Sequence, residues 1–232
     1  MNAYKKFAYY YDEVIAELDY SLWLEFILPY LNKDSEILDL ACGSGTLAIM
    51  LKLKGYNVEG LDLSEEIIEI AQEKAKINHL DINFYTLDMT NFNLNKKYDV
   101  ITCFFDSVNF LSSIGEINKL LQNVKKHLKK DGLFIFDLFS KTLFEEYSKN
   151  TIIEDYETFK INWHTNKIDS NILKHDILIQ EGDLELKEEY YEYYYEIKSL
   201  NLEGFKLLKI CGDFNDDLKE SDERILIVLQ AL

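Results

Sequence analysis

A strand, a glycine turn and the start of a helix follow one another over residues 36–46, which read E-I-L-D-L-A-C-G-S-G-T. The apolar residues around Asp39 predict a buried parallel strand. Gly43 and Gly45 lack a Cβ, so the backbone there can turn tightly and approach a ligand closely. In an open α/β sheet a nucleotide-like ligand lies across such strand ends. The stretch alone is ambiguous, because the glycines followed by Asp62 also fit a dinucleotide-binding fingerprint or a simple tight turn.

Composition narrows the possible partners. The 232 residues, 47% of them hydrophobic, suffice for one well-filled α/β domain with an elaboration. The formal charge is −17 and Arg224 is the single arginine. A protein that grips a phosphate backbone needs clustered basic residues, so we expect no nucleic-acid partner.

The spacing of the cysteines and the length of the apolar runs indicate the cellular compartment of the protein. The three cysteines show no C-x-x-C spacing, and the four histidines show no metal-ligand spacing. This pattern indicates a reducing, cytoplasmic setting and no metal site. We also expect no membrane partner, because no signal-peptide pattern is present and no apolar run approaches the roughly 20 residues that span a bilayer.

The order of predicted elements gives the fold class. Residues 1–31 predict a helical cap, and residues 34–140 alternate strands with helices, which calls for an α/β, doubly wound, mostly parallel seven-stranded sheet. Residues 205–232 predict an antiparallel C-terminal hairpin of that sheet. After strand five, residues 151–200 predict a small antiparallel β insert, a lid or a homodimer surface, with strands over 157–165, 170–179 and 184–195. A helix over 116–130 and strand five are separated by a predicted turn at Asp131-Gly132.

Acidic residues end four of the predicted strands, at Asp39, Asp62, Asp88 and Asp137. The carboxyl ends of parallel strands share one edge of a sheet, so these acids should converge on one crevice. One acid at a strand end is often no more than a helix cap. Several around a glycine loop predict a ligand rich in hydroxyl and amine donors.

Taken together, these segments resemble the class I S-adenosylmethionine-dependent methyltransferases, most closely the small-molecule branch that includes bacterial aminosugar N-methyltransferases. The matching segments are F-A-Y-Y-Y-D at 7–12, L-D-L-A-C-G-S-G-T at 38–46, V-E-G-L-D-L-S at 58–64, L-D-M at 87–89, Y-D-V-I-T-C-F-F-D-S at 98–107 and D-G-L-F-I-F-D at 131–137. The resemblance implies S-adenosyl-L-methionine as cofactor and a small-molecule methyl acceptor, methylated on nitrogen or oxygen. The alternatives are a nucleotide-binding oxidoreductase of the NAD type and a non-catalytic cofactor-binding or interaction protein.

The resemblance also implies which residues hold the cofactor. Asp62 would accept hydrogen bonds from both ribose hydroxyls, and Leu63 would pack on the adenine. Asp88 would bind the adenine amino group and the backbone N–H of Met89 a ring nitrogen. The Gly43–Gly45 loop and the Ala41 carbonyl would hold the methionine end, and Tyr11 and Trp23 would close over it. Phe104 would lie under the cofactor, and Asp39 would either orient the loop or meet the ammonium group.

Three residues are candidates for contact with the methyl acceptor. Asp106 and Asn109 follow strand four, where acceptor groups bind in this fold, and His175 on the insert could reach the mouth of the pocket. Aminosugar-methylating relatives have a histidine in the loop after strand four. The aligned residue here is Phe110, so their acceptor chemistry is not carried over. For His175 and for His127 the plainer expectation is a surface position.

Overall fold

The computed structural model describes residue 10, residues 13–14 and residues 18–232, so Tyr11 and part of the predicted cap over residues 1–31 lie outside the described residues. The described helices are α1 (Tyr20–Ile27), α2 (Thr46–Leu53), α3 (Glu65–Ile77), α4 (Ile114–His127) and α5 (Lys141–Tyr147). The described strands are β1 (Glu36–Leu40), β2 (Asn57–Asp62), β3 (Phe84–Thr86), β4 (Tyr98–Cys103), β5 (Leu128–Phe139), β6 (Thr151–Asp155), β7 (Lys160–Asp169), β8 (Ile172–Glu181), β9 (Leu184–Tyr193), β10 (Phe205–Gly212) and β11 (Arg224–Ala231). None of these helices is long and apolar enough to cross a membrane.

Seven of the described strands form one sheet in the order β10-β11-β5-β4-β1-β2-β3. β1 to β5 pair in parallel, and β11 runs antiparallel between β5 and β10. Apolar residues of α4 pack on one face, and those of α1, α2 and α3 pack on the other. The predicted doubly wound fold with its C-terminal hairpin is therefore confirmed.

The junction of α4 and β5 differs from the sequence prediction. β5 begins at Leu128, directly after the helix, and passes through the predicted turn at Asp131-Gly132. Asp131 has a φ of +62°, and the register between β4 and β5 shifts between Tyr98 and Val100. An irregularity inside one long strand thus replaces a turn, because the chain keeps pairing with β4 on both sides of it.

His127 at the end of α4 is buried, so the predicted surface position is wrong. Its Nδ1 lies 2.8 Å from the carbonyl oxygen of Asn123, and its Nε2 accepts a 3.3 Å hydrogen bond from the Leu94 N–H. The ring centroid lies 4.2 Å from that of Phe92. A helix-end histidine is covered here because the loop before β4 folds over it.

The insert is a second antiparallel sheet of four described strands, β6-β7-β8-β9, one more than predicted. The additional strand β6 is short, and four of its five residues are exposed, so it carries no clear alternation of apolar residues. The helix α5, which precedes the insert, was also not predicted. Ser140 caps it, with its hydroxyl accepting a 3.2 Å hydrogen bond from the Leu143 N–H.

The insert is fastened to the carboxyl edge of the main sheet. The Asn109 amide donates a 2.8 Å hydrogen bond to the Tyr193 carbonyl and accepts one of 3.2 Å from the Phe139 N–H. The Tyr195 hydroxyl donates to the Leu111 carbonyl at 2.5 Å. These bonds join the end of β9 to the loop after β4 and to the end of β5, so the insert lies directly beside the crevice.

Candidate active site

The loop between β1 and α2 is held in place by a carboxylate from the neighbouring strand. The Asp62 Oδ2 atom accepts a 3.0 Å hydrogen bond from the Gly43 N–H, and Oδ1 accepts one of 3.0 Å from the Ser64 N–H. Gly43 and Gly45 have φ values of +53° and +77°, which favour glycine. Ala41 also adopts positive φ, at +51°. The Asp62 carboxylate has lone pairs beyond those that backbone N–H groups use, so it can accept a further hydrogen bond.

Asp39 lies buried beneath this loop at the carboxyl end of β1. Its Oδ1 accepts a 2.7 Å hydrogen bond from the Thr102 hydroxyl. Burial, reinforced by the nearby Asp62 carboxylate, raises the pKa of Asp39 to about 7. Asp39 is thus a buried acid that supports the loop from below, and its contact with a ligand stays a prediction.

The open side of the crevice carries Leu63 and Asp88. Leu63 is 73% exposed, although it directly follows a central strand. Asp88 Oδ1 accepts hydrogen bonds from the Thr90 N–H at 2.7 Å and from the Thr90 hydroxyl at 2.8 Å. The Leu87 N–H donates a 2.9 Å hydrogen bond to the Asp62 carbonyl. The two predicted ligand-binding acids therefore share one edge, next to an exposed apolar side chain.

Two aromatic residues follow β4, and the first of them, Phe104, is the predicted cofactor contact. Phe104 is 1% exposed and packs in the core between the sheet and α1. The next residue, Phe105, has a φ of +58°, is half-buried, and its ring centroid lies 4.2 Å from that of Trp23. Phe105 rather than Phe104 thus presents its ring at this edge of the sheet. Met89, after β3, is half-buried against the core.

A buried cluster of charged groups joins α1, β5, β11 and the loop after β4. Asp137 is fully buried, and its Oδ2 accepts hydrogen bonds from the Trp23 indole N–H at 2.7 Å and from Arg224 at 3.2 Å. Its Oδ1 accepts a 3.0 Å hydrogen bond from the Asp106 N–H. Arg224 also pairs through two nitrogens with the Asp106 carboxylate. Burial raises the pKa of Asp137, and the Arg224 charge opposes that rise.

Sequence reasoning did not place Arg224 in the site. The sequence does set Arg224 apart, because it is the one arginine among 25 basic residues and all the others are lysine. A guanidinium can bind two carboxylates at once in a fixed planar geometry, which a lysine ammonium cannot. A solitary arginine in such a chain therefore points to a buried ion pair.

The candidate His175 is 2% exposed, so the plainer expectation of a surface position is wrong. Its Nδ1 accepts a 3.0 Å hydrogen bond from the Trp163 indole N–H and lies 3.0 Å from the Thr165 hydroxyl. Its Nε2 lies 3.0 Å from Oε2 of Glu192, which is 6% exposed. Burial raises the pKa of Glu192, and the contact with His175 opposes that rise.

The three residues predicted to contact the methyl acceptor differ in how much of their hydrogen-bonding capacity is already used within the protein. Asp106 and His175 both interact electrostatically with Glu192, and the His175 Nε2 atom lies 3.0 Å from Glu192 Oε2. Asn109 is buried, and both ends of its amide are hydrogen-bonded to the backbone, so its amide is used to fasten the insert to the main sheet. Across the part of the chain that the structure describes, no group of three or more His, Cys, Asp or Glu side chains could hold a metal ion.

Comparison with known proteins gives one consistent picture. Residues 37–132 match a family described as a methyltransferase domain. A protein of Geobacillus sp. (strain WCH70) that is named as a methyltransferase is 31% identical, over 97% of this chain and 98% of its own. The crystal structure of an S-adenosylmethionine-dependent methyltransferase from Clostridium acetobutylicum ATCC 824 has a TM-score of 0.85 at 30% identity and 99% coverage of both chains. An amino pentose methyltransferase from Micromonospora echinaspora shares the fold, with a TM-score of 0.72 at 15% identity over 97% of this chain and 96% of its own.

Proposed function

The chain belongs to the S-adenosylmethionine-dependent methyltransferases, and from this membership we propose that it methylates a nitrogen or oxygen atom of a small polar metabolite. Bound S-adenosylmethionine supplies the methyl group as an electrophilic carbon on a sulfonium sulfur. The protein has to hold that cofactor, align the acceptor with the methyl carbon and exclude water.

The adenosine half of the cofactor is assigned to the open side of the crevice. Asp62 accepts from the ribose hydroxyls, since its carboxylate has lone pairs beyond those used by the backbone N–H groups of Gly43, Leu63 and Ser64. Leu63, which is exposed in the protein alone, packs on the adenine. The ligand would then cover this side chain, which explains why an apolar residue stands at an exposed position. Asp88 and the Met89 N–H bind the polar edge of the adenine.

The methionine half is assigned to the glycine loop, residues 41–45, above Asp39. Trp23 and Phe105 lie next to this end of the crevice, and aromatic faces stabilise a sulfonium cation electrostatically. Tyr11, which lies outside the described residues, keeps its proposed role of closing over this end. The residues present therefore fit the hydroxyl, amine and cationic groups of the cofactor.

The observation that supports the acceptor class is a cluster of buried polar side chains where the insert meets the ends of β4 and β5. His175 and Glu192 come from the insert, and Asp106 and Arg224 from the sheet. Such a buried set of hydrogen-bonding groups suits a small polar molecule and not a polymer. The net charge of −17 also disfavours nucleic acid.

We further propose that the protein acts in the cytoplasm and that the insert serves as a lid. The three cysteines are free thiols, which suits a reducing compartment. The alternative use of the insert, as a homodimer surface, is tested by the mass of the protein in solution with and without the insert strands.

Two measurements test this function in sequence. The first is calorimetric titration with S-adenosylmethionine, S-adenosylhomocysteine and NAD, in which we expect the two adenosyl ligands to bind and NAD not to bind. The second is transfer of labelled methyl to a panel of small amines, hydroxy acids and phenols, with transfer RNA as the polymer control. Labelling of the RNA alone would overturn the proposed acceptor class, and binding of NAD alone would overturn the assignment of the crevice.

A further inference from the structure

The protonation of His175 is fixed by its neighbours. The indole N–H of Trp163 can only donate, so the Nδ1 atom that it contacts at 3.0 Å presents a lone pair. The ring proton therefore sits on Nε2, on the side of Glu192. Tyr190 stacks on the imidazole with a centroid distance of 4.5 Å and an angle of 12° between the planes. His175 is thus locked in one tautomer and one orientation.

The contact between His175 and Glu192 is short but incomplete. Nε2 lies 3.0 Å from Glu192 Oε2, yet its N–H is not aligned for a hydrogen bond and Nε2 has no other partner in the described structure. Leaving a buried donor without a hydrogen bond is unfavourable. The His175 Nε2–H can therefore still donate a hydrogen bond to a third polar group, such as an acceptor atom of a ligand.

The surroundings place Glu192 beside the crevice. Its neighbour Tyr193 is bonded to Asn109, in the loop that also carries Asp106. Charged and titratable groups face the Glu192 carboxylate from four elements, and these are His175 on β8, Asp106 after β4, Arg224 on β11 and Tyr147 on α5. Burial and Asp106 raise the pKa of Glu192, whereas His175 and Arg224 lower it.

Resting on the proposed function, we propose that Glu192 is the catalytic residue that receives the proton of the methyl acceptor, with His175 and Trp163 as positioning residues. The N–H or O–H bond of the acceptor breaks, the proton passes to a Glu192 oxygen and the electron pair stays on the acceptor atom. That pair forms the new bond to the methyl carbon while the carbon–sulfur bond breaks and leaves its electrons on sulfur. The Glu192 proton then passes to solvent. A carboxylate whose pKa is raised by burial suits this task.

The kinetic test compares Glu192→Gln with Glu189→Gln on the same strand. Glu189 is exposed and paired with Lys174, so its loss should change little. Using an acceptor found in the panel above, we expect E192Q to lower kcat about 100-fold or more, with KM nearly unchanged. The acidic limb of its pH profile should disappear, and its affinity for S-adenosylhomocysteine should stay within about twofold. Turnover retained with the same pH profile would overturn the role of Glu192.

A second readout needs no acceptor and uses the complex with S-adenosylhomocysteine. Carbon-13 NMR should show the Glu192 carboxyl titrating above the ordinary glutamate range, and nitrogen-15 NMR should show His175 with its proton on Nε2. Trp163→Phe removes the indole donor, so the His175 tautomer and the Glu192 titration should both change while S-adenosylhomocysteine still binds. A Glu192 that titrates in the ordinary range, or a His175 protonated on Nδ1, would overturn the proposal even if no acceptor had been found. Failure to bind S-adenosylhomocysteine would instead count against the proposed function.

Discussion

The indole N–H of Trp23 donates a 2.7 Å hydrogen bond to Oδ2 of Asp137, which ties α1 to the carboxyl end of β5 inside the buried charge cluster. Trp23→Phe keeps an aromatic ring but removes the donor. We expect a loss of about 1–3 kcal/mol in the free energy of unfolding, because Asp137 then has one partner fewer in a buried position. Urea denaturation measures this loss.

A double-mutant cycle with Asp137→Asn separates the bond from the change in packing. The two substitutions should be non-additive by about 0.5–3 kcal/mol. Additivity would mean that the Trp23 N–H and the Asp137 carboxylate do not interact.

Arg224 is the buried cation that compensates two carboxylates, those of Asp106 and Asp137. Arg224→Gln leaves these charges buried without their partner, and we expect a loss of about 3–5 kcal/mol in the free energy of unfolding. Lys160→Gln is the control, because its pair with Asp155 is exposed and contributes about 1 kcal/mol or less. Equal effects of the two substitutions on the denaturation midpoint would contradict a special role for Arg224.

Asp39 should make stability depend on pH. Burial raises its pKa from an ordinary 3.8 to about 7, so between these values the folded protein binds a proton that the unfolded chain does not. Its contribution to stability is complete below the unfolded pKa and is lost as the pH rises through the folded pKa. Relative to Asp39→Asn, the wild type should therefore lose up to about 1.4 kcal/mol per pH unit between pH 5 and 7, and level off above that. Urea denaturation of both proteins across this range would show parallel curves if the pKa were ordinary.

Asp62 should contribute to cofactor affinity. Asp62→Ala removes the proposed acceptor of the ribose hydroxyls, and we expect binding of S-adenosylhomocysteine to weaken by about 1–3 kcal/mol in calorimetry. Asp81→Asn, at an exposed position, is the matched control and should bind normally. Circular dichroism checks that both variants fold. A folded Asp62→Ala protein with unchanged affinity would remove Asp62 from the site.

The parallel core could be predicted because its signals are local. Each strand, its terminal acid and the following helix lie within a few residues of one another, and the glycines of the loop specify the turn. The position of Asp62 against Gly43 follows from such a pattern. The sequence therefore predicted correctly that Asp62 and the glycine loop share one edge of the sheet, and their contact with the cofactor stays a prediction.

The acceptor side depends on contacts between residues far apart in the chain. Arg224 meets Asp106 across 118 positions, and Asn109 meets Tyr193 across 84. Alternation of polar and apolar residues cannot show which face of the insert is covered, so the burial of His175 and Glu192 could not be predicted from the sequence. The sequence likewise could not distinguish Phe104 from Phe105. The structure shows that the left-handed backbone at Phe105 directs its ring toward the carboxyl edge of the sheet.

The position of β11 between β5 and β10 has a consequence for synthesis on the ribosome. β10 is translated first, yet it pairs with β11 and has no other strand partner in the described sheet. Until residue 231 has emerged, the nascent chain exposes the open edge of β5 and an unpaired β10, both of which can recruit foreign strands. During this interval Asp137 also lacks its ion-pair partner, until Arg224 has been translated. The vulnerable period of this protein should therefore last until β11 has emerged, although the five parallel strands can already have paired by then.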